Sequence, residues 1–330
     1  MKPAIIGITM GDPSGVGAEI IVNSYSNDTS FLNCSLLVIG NSDRLYDAAK
    51  ILKKNIKINK CTSIEDIIPD NKNLINCMNV GEIPKNLPYG KNSIIGGESA
   101  YQYIKTACNL ALNNKINAIC TAPISKKALH MAGHKYPGHT ELLAKLTNTN
   151  EVSLMLATPK LNVIHVTTHM GLIDAINNIE PNLVFRTIER GRNILYKSLG
   201  KEPRIGVCAI NPHAGEEGIF GYGEEEIKIK PAIKKALSLK WNIKGPLAAD
   251  TLFFLAARGN FDLVVAMYHD QGHGPVKVMG IENGVNVTVG LPIIRTSVDH
   301  GTAFDIAGKG IADDRNLIQA LKEASEYLVR

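Results

Sequence analysis

The chain lacks what a membrane protein or a disulfide-stapled domain needs. No run of about 18 apolar residues occurs, so no membrane span is expected. The segment ahead of the first strand-like run shows neither the basic region nor the cleavage site of a secretion leader, and none is expected. The six cysteines, Cys34, Cys61, Cys77, Cys108, Cys120 and Cys208, include no C-x-x-C pair, and several sit in apolar runs. That pattern predicts reduced, buried thiols and a cytoplasmic setting. Aromatic residues are scarce at 5%, whereas glycine reaches 29 and Ile and Val are frequent. This favours buried strands with tight strand-to-helix turns over a helical bundle. Arginine is sparse, and the net charge of +5 comes mostly from scattered lysines such as Lys53, Lys54, Lys57 and Lys60. Scattered lysines read as a solvated face, so no nucleic-acid partner is expected.

What is present is ordinary for a soluble globular protein: 330 residues, 45% hydrophobic and 20% charged. At roughly 150 residues per domain, the length suggests two domains, each with an ample core. Short apolar runs alternate with helical patterns. Strands are predicted at 4–10, 36–39, 74–80, 118–121, 152–157, 163–168, 205–210, 263–267 and 285–289. Helices are predicted at 15–27, 42–52, 98–113, 181–199, 224–239 (broken or started near Pro231), 249–258 and 313–328. The runs at 152–157 and 163–168 suit a hairpin around Pro159-Lys160. Such alternation predicts α/β layers with a mostly parallel sheet. The Gly/Pro-rich stretches 84–97 and 122–138 are the expected crossings between domains.

Three histidines share a placement. His169 follows the strand at 163–168, His213 follows 205–210, and His269 follows 263–267. Ligands of open α/β sheets bind outside the carboxyl ends of the strands. Three imidazoles converging there would hold a metal and leave positions open for substrate. The plainer reading is that each caps a strand end. His165 lies inside a strand and is expected to be a satisfied core residue, His130 and His134 carry no expected role, and His300 could support the site from behind. Asp270 directly follows His269, and Asp250 opens a helix; either could orient a ligand or move a proton, although Asp250 also reads as an N-cap. In Pro137-Gly138-His139-Thr140-Glu141, a helix start suits an anion, with Thr140 as a simple N-cap the bland alternative. Lys277 and Arg295 are cations in apolar sequence, and such charges need an internal carboxylate or an anionic ligand. Asn286 could add a neutral donor. The first turn, Gly11-Asp12-Pro13-Ser14-Gly15-Val16-Gly17, resembles a phosphate loop. It is neither a Walker A motif nor a clean G-x-G-x-x-G, so a tight turn is the simpler reading.

Taken together, the segments resemble the 4-hydroxythreonine-4-phosphate dehydrogenase family. The matching tracts are Gly7 to Gly15, Pro137 to Glu141, Thr168-His169, Asn211-Pro212-His213-Ala214-Gly215-Glu216, Asp250-Thr251, Tyr268-His269-Asp270-Gln271-Gly272 and Arg295 to Thr302. They span nearly the whole chain, in family order. The resemblance implies a two-domain isocitrate/isopropylmalate dehydrogenase-like α/β fold, with the active site in the interdomain cleft. It implies a cofactor-side domain of 1–125 plus 275–330, and a substrate, metal and dimerisation domain of 126–274. It implies a homodimer whose divalent metal (Zn²⁺, Mn²⁺, Co²⁺ or Mg²⁺) is held by His169 and His213 of one subunit and His269 of the other. His139, Thr140, Lys277, Asn286 and Arg295 fall on substrate-binding positions, and Asp250, Asp270 and Lys277 on candidate catalytic ones. NAD or NADP would bind without a Rossmann fingerprint. The implied reaction oxidises a secondary alcohol at C3 of a four-carbon acid phosphorylated at C4, and the resulting β-keto acid then loses carbon dioxide.

One departure bears on the substrate. Ahead of Lys277 the sequence reads Gln271-Gly272-His273-Gly274-Pro275-Val276, where the vitamin B6 enzymes more usually carry Leu-Pro-Val-Leu. This is more like the branch acting on 4-phospho-D-threonate or 4-phospho-D-erythronate. His273 could donate a hydrogen bond to the C2 hydroxyl of such a substrate and, when protonated, repel the ammonium of 4-phosphohydroxy-L-threonine; the plainer reading is that it points to solvent and merely tolerates the Gly274-Pro275 turn. Two other classes are weaker. A phosphate acyltransferase needs neither metal nor nicotinamide, and a non-catalytic phosphometabolite sensor needs an effector segment for which the two domains leave no room.

Overall fold

A computed structural model describes residues 3–25, 34–69, 73–279 and 284–328. The chain divides into two compact units, 1–152 with 291–328, and 153–290.

In the first unit the strands are β1 (Ala4–Thr9), β2 (Cys34–Gly40), β3 (Lys57–Cys61), β4 (Leu74–Asn79), β5 (Ala118–Thr121) and, from the C-terminal stretch, β12 (Ile294–Ser297). They lie in the order β3-β4-β2-β1-β5-β12, every pair parallel. The inner strands are mostly apolar, and β2 and β5 are buried along their whole length, as strands covered on both faces must be. The helices are α1 (Gly17–Tyr25), α2 (Ser42–Ile51), α3 (Ile94–Leu112), α4 (Lys126–Met131), α5 (His139–Leu146) and, near the C-terminus, α11 (Arg315–Glu326). Side-chain oxygens start several of them: Asn41 accepts from the Arg44 amide, Ser93 from Gly96, and Ser125 from Ala128.

In the second unit β6 (Ser153–Thr158) and β7 (Leu161–His165) form the predicted hairpin, turning at Pro159-Lys160. With β8 (Ile205–Cys208), β9 (Ile243–Leu247), β10 (Leu263–Ala266) and β11 (Val285–Val289) they lie in the order β11-β6-β7-β10-β8-β9. The β7-β10-β8-β9 portion is parallel, and β6 is antiparallel to both neighbours. The helices are α6 (Leu172–Asn178), α7 (Pro181–Leu199), α8 (Lys230–Ser238), α9 (Ala249–Ala256) and α10 (His269–Val278). Pro181 begins α7 and left-handed Gly200 ends it. The break foreseen near Pro231 is a single π turn, Glu225–Ile229, followed by α8.

The crossings follow 152 and 290, further along the chain than 125 and 274. Packing accounts for the difference. Helices α4 and α5 dock on α3, which keeps 126–146 with the first sheet, while α10 docks on β7 and β10. Of the helix predicted at 15–27, the part after Tyr25 lies outside the described residues. No described helix is long and apolar enough to cross a membrane, and all six cysteines are free and buried.

Candidate active site

Strands β7, β10 and β8 are adjacent and parallel, and their carboxyl ends lead into His169, His269 and His213 respectively. Hydrogen bonds tie the three exits together. The Thr167 hydroxyl donates to the Met267 carbonyl (2.8 Å). The Met267 amide donates to Gln271 Oε1, and Gln271 Nε2 donates to the Ala209 carbonyl, each at 2.7 Å. Gln271 thus links the loop of His269 to the segment leading to His213. The rings of His169 and His269 lie 5.8 Å apart. His269 Nδ1 donates to Asp270 Oδ1 (2.8 Å), which leaves the Nε2 lone pair for a cation, the carboxylate-imidazole pairing of metal sites. The donor types therefore suit a divalent metal. His213 is not among the ring neighbours of His169 or His269; its own lies 6.0 Å away, on Phe220. Among the described residues no group of three or more His, Cys, Asp or Glu side chains in one chain is placed to hold a metal.

His213 opens an unusual turn. Residues 213–217 all have positive φ: 51, 57, 80, 41 and 55°. Only Gly215 enters that region without cost. Two glutamates anchor the turn from outside. Glu225 Oε1 accepts from the amides of Ile210 (3.0 Å) and Asn211 (2.7 Å), and its Oε2 from Asn211 Nδ2 (3.0 Å). Glu224 Oε2 accepts from Asn211 Nδ2 (2.9 Å) and the Tyr222 amide (2.7 Å). The sequence reading missed Glu225, which hides in a run of three glutamates that reads as solvated. The available signal was helical spacing: Glu225, Ile229, Ile233 and Ala236 share one stripe, and all four are buried. Beside the turn is an open depression of about 570 Å³, lined by His213, Glu216, Phe220, Glu225 and Lys230 among others.

In the first unit Arg295 is 3% exposed and donates to Thr121 Oγ1 (2.7 Å). Burial lowers its pKa to about 10, with Cys120 and Glu141 opposing the shift. His139 starts α5, and its Nε2 is buried with no hydrogen-bond partner. Burial, and then the Arg295 charge, push its pKa well below the ordinary value, so the ring is neutral. Gly138, not Thr140, is the N-cap of α5, and Ala248, not Asp250, the N-cap of α9. Thr140 and Asp250 therefore sit in first turns, half-buried and exposed respectively. Lys277 lies in the last turn of α10 and Asn286 on β11, both half-buried.

The first turn is closed. Asp12 and Ser14 are at most 1% exposed, Asp12 Oδ1 accepts from the Ser14 amide (2.9 Å), and Arg44 Nε donates to the Pro13 carbonyl (2.7 Å). This fits a tight turn better than an open phosphate loop. His134 pairs with Glu98 (2.8 Å) and stacks on Tyr101. His300 Nδ1 donates to the Gly301 carbonyl (2.9 Å). His165 is buried as expected, but one of its partners is His273, 3.0 Å away, a contact that sequence spacing did not suggest.

Comparison with known proteins gives one consistent result. The sequence profile described as pyridoxal phosphate biosynthetic protein PdxA matches residues 32–324. The chain is 57% identical over 326 residues to the D-threonate 4-phosphate dehydrogenase of Cupriavidus necator, covering 99% of this chain and 98% of the relative. A crystal structure of a 4-hydroxythreonine-4-phosphate dehydrogenase from Burkholderia phymatum superposes with a TM-score of 0.91 at 58% identity, covering 99% of this chain and 98% of that one. A β-decarboxylating dehydrogenase from Thermococcus kodakarensis, 14% identical, shares the fold with a TM-score of 0.50 over 98% of this chain and 83% of that one.

Proposed function

The chain belongs to the PdxA family, and from that premise we propose that it oxidises the C3 hydroxyl of a four-carbon acid phosphorylated at C4, with 4-phospho-D-threonate or 4-phospho-D-erythronate as substrate. The carrying observation is the buried, unpartnered Nε2 of His139 beside Arg295 at the start of α5. A buried polar nitrogen without a partner is costly, and an anionic oxygen would satisfy it while answering the arginine's charge. His139, Thr140 and Arg295 are assigned to anion binding, together with Lys277 and Asn286.

Asp270 fixes the His269 ring through Nδ1, and Lys277 and Asp250 are assigned to moving the hydroxyl proton. His169, His213 and His269 would hold a divalent cation, whose positive charge would ease loss of that proton. With NAD or NADP as hydride acceptor, the C3 alcohol would become a ketone, and the β-keto acid would then lose carbon dioxide. We assign the working form to a homodimer in which His169 and His213 act with His269 of the partner subunit, and its setting to the cytoplasm, where six unpaired thiols stay reduced.

The second reading is oxidation of 4-phosphohydroxy-L-threonine, favoured by the description of the 58% identical Burkholderia structure. Nicotinamide absorbance with a panel of phosphorylated four-carbon acids decides between them. The expected result is a preference of roughly tenfold or more in kcat/KM for the hydroxy acids, with activity abolished by exhaustive chelation and restored by Zn²⁺, Mn²⁺ or Co²⁺. Better turnover of the amino acid would move the protein to the second reading, and full activity in a demonstrably metal-free sample would remove the metal from the scheme.

A further inference from the structure

The π turn at Glu225–Ile229 has a local cause. Pro231 has no amide hydrogen to give the carbonyl four residues back, and its ring would strike that carbonyl. The backbone widens instead, and the Lys230 amide donates to the Glu225 carbonyl, five residues earlier. The core holds this turn in place: Ile229 is fully buried, and the turn packs on α7. A π turn has more residues per turn than an α-helix, so side chains three apart diverge further. Glu225 and Lys228 therefore leave one fixed base for two different elements.

Glu225 reaches the segment after β8. It is 4% exposed, and its carboxyl group accepts from the Ile210 amide, the Asn211 amide and Asn211 Nδ2, just ahead of His213. Asn211 is fixed as the donor, because the same Nδ2 also meets Glu224 and a flipped amide would set its oxygen against two glutamates. Room is tight here: a Cβ on Gly215 would lie 3.0 Å from Glu225 Oε2, and one on Gly221 2.2 Å from Asn211 Nδ2. Lys228 reaches the segment after β7. Its Nζ donates to the carbonyls of Ile176 (3.0 Å), Asn177 (3.4 Å) and Ile179 (2.8 Å) at the end of α6. Carbonyls at a helix end lack partners within the helix and favour a cation. Asn178 Nδ2 in turn donates to Met170 Sδ (3.5 Å), which ties this end of α6 back to the residue following His169.

We propose that Glu225 and Lys228 are positioning residues for the metal: from one π turn they clamp the loops of His213 and His169, the two ligands assigned to a single subunit, relative to each other. The clamp rests on the reading of these histidines as metal ligands given above. Neither side chain contributes a donor to the cation. Glu225 acts through the amides of 210 and 211, and Lys228 through the carbonyls that end α6. Holding both loops before the ion arrives removes part of the ordering cost of binding. Loss of either contact therefore weakens metal binding while all three imidazoles remain.

The test is the zinc affinity of the whole protein, measured by competition with a coloured chelator, alongside amide hydrogen exchange of the zinc-free protein. Glu225→Ala should speed exchange in 209–217 and Lys228→Met in 172–179, and each should weaken zinc binding about tenfold. In a His213→Ala background Glu225→Ala should weaken zinc little further, because it acts through that histidine. A general loss of stability would instead act equally in both backgrounds. Glu225→Gln keeps one oxygen for the two amides but sets its amide nitrogen against Asn211 Nδ2. Its zinc affinity should fall between those of the wild type and Glu225→Ala, and it decides the matter, with Lys228→Met, should Glu225→Ala fail to fold. The clamp is overturned if His169→Ala and His213→Ala weaken zinc binding while Glu225→Ala and Lys228→Met do not. Unchanged exchange, or an equal loss in the His213→Ala background, overturns it too. If zinc affinity survives in both histidine variants, the reading of those residues as ligands is at fault, and faster exchange in the two segments would still show the clamp.

Discussion

Two buried side chains respond to acid in opposite senses. Asp12 is 1% exposed, and burial raises its pKa to about 6 against the smaller opposing effects of the Ser14 amide and Arg44. Unfolded, the same carboxyl titrates near 3.9. Between these values the folded chain binds more protons than the unfolded one, so this group's contribution declines as pH rises through the window and stays low above it. Asp12→Asn should therefore stabilise the protein at pH 8 by up to about 3 kcal/mol, a gain that shrinks toward pH 4. Denaturant unfolding of both proteins at the two pH values checks this, and an equal difference at both would mean that the carboxylate is not the cause. His165 runs the other way. Its folded pKa of about 3 lies below the unfolded value, so its contribution is full above roughly 6.5 and is lost as pH falls toward 3.

At the scale of elements, close approach of backbones decides what a helix can carry. Helix α3 meets α4 so tightly that a Cβ on Gly97 would lie 2.0 Å from the Ala128 carbonyl oxygen. The obstacle is backbone, which cannot rotate away as a side-chain tip can. Gly97→Ala should cost about 2–3 kcal/mol in chemical denaturation, despite the better intrinsic helix propensity of alanine. A neutral result would show that α4 is free to shift. The same logic explains which elements were legible in the sequence. Strand β5, helix α7 and strand β11 came out at their observed limits, because apolar periodicity, Pro181 and Gly200 all agree with the fold. Helix α10 was not foreseen. Gly272, Gly274 and Pro275 argue locally against a helix, and packing of Gly272 and Val276 on β7 and β10 overrides them. Strand β9 was missed for a similar reason, its Gly245-Pro246 pair reading as a turn.

For the whole molecule, the proposed metal site requires three histidines from separate strand exits to converge. Their placement after β7, β8 and β10 was readable from the run of strands and loops, whereas the adjacency of those three strands is a tertiary fact. The proposed arrangement, with His169 and His213 from one subunit and His269 of the partner subunit, makes a distinct prediction for hybrids. Inactive His169→Ala and His269→Ala proteins, mixed with proven subunit exchange, should regain activity, since one site carries both lesions and the other neither. His169→Ala mixed with His213→Ala should stay inactive. The converse pattern would pair His169 with His269 in one chain, whose rings lie 5.8 Å apart, and would draw His213 from the second subunit.

The left-handed run at 213–217 has a consequence for sequence change. Glu216 is exposed to solvent, and an exposed glutamate ordinarily accepts almost any replacement. Here the backbone at 216 has φ of 41° and at 217 of 55°, a region that β-branched residues avoid and that Asn, Asp and Gly enter most readily. Drift at these surface positions is therefore filtered by chirality and not by polarity. Valine or isoleucine, harmless in most loops, would be excluded, while glycine would be tolerated in several places at once. Chirality thus holds the loop that carries His213 to one backbone shape even where its side chains face solvent.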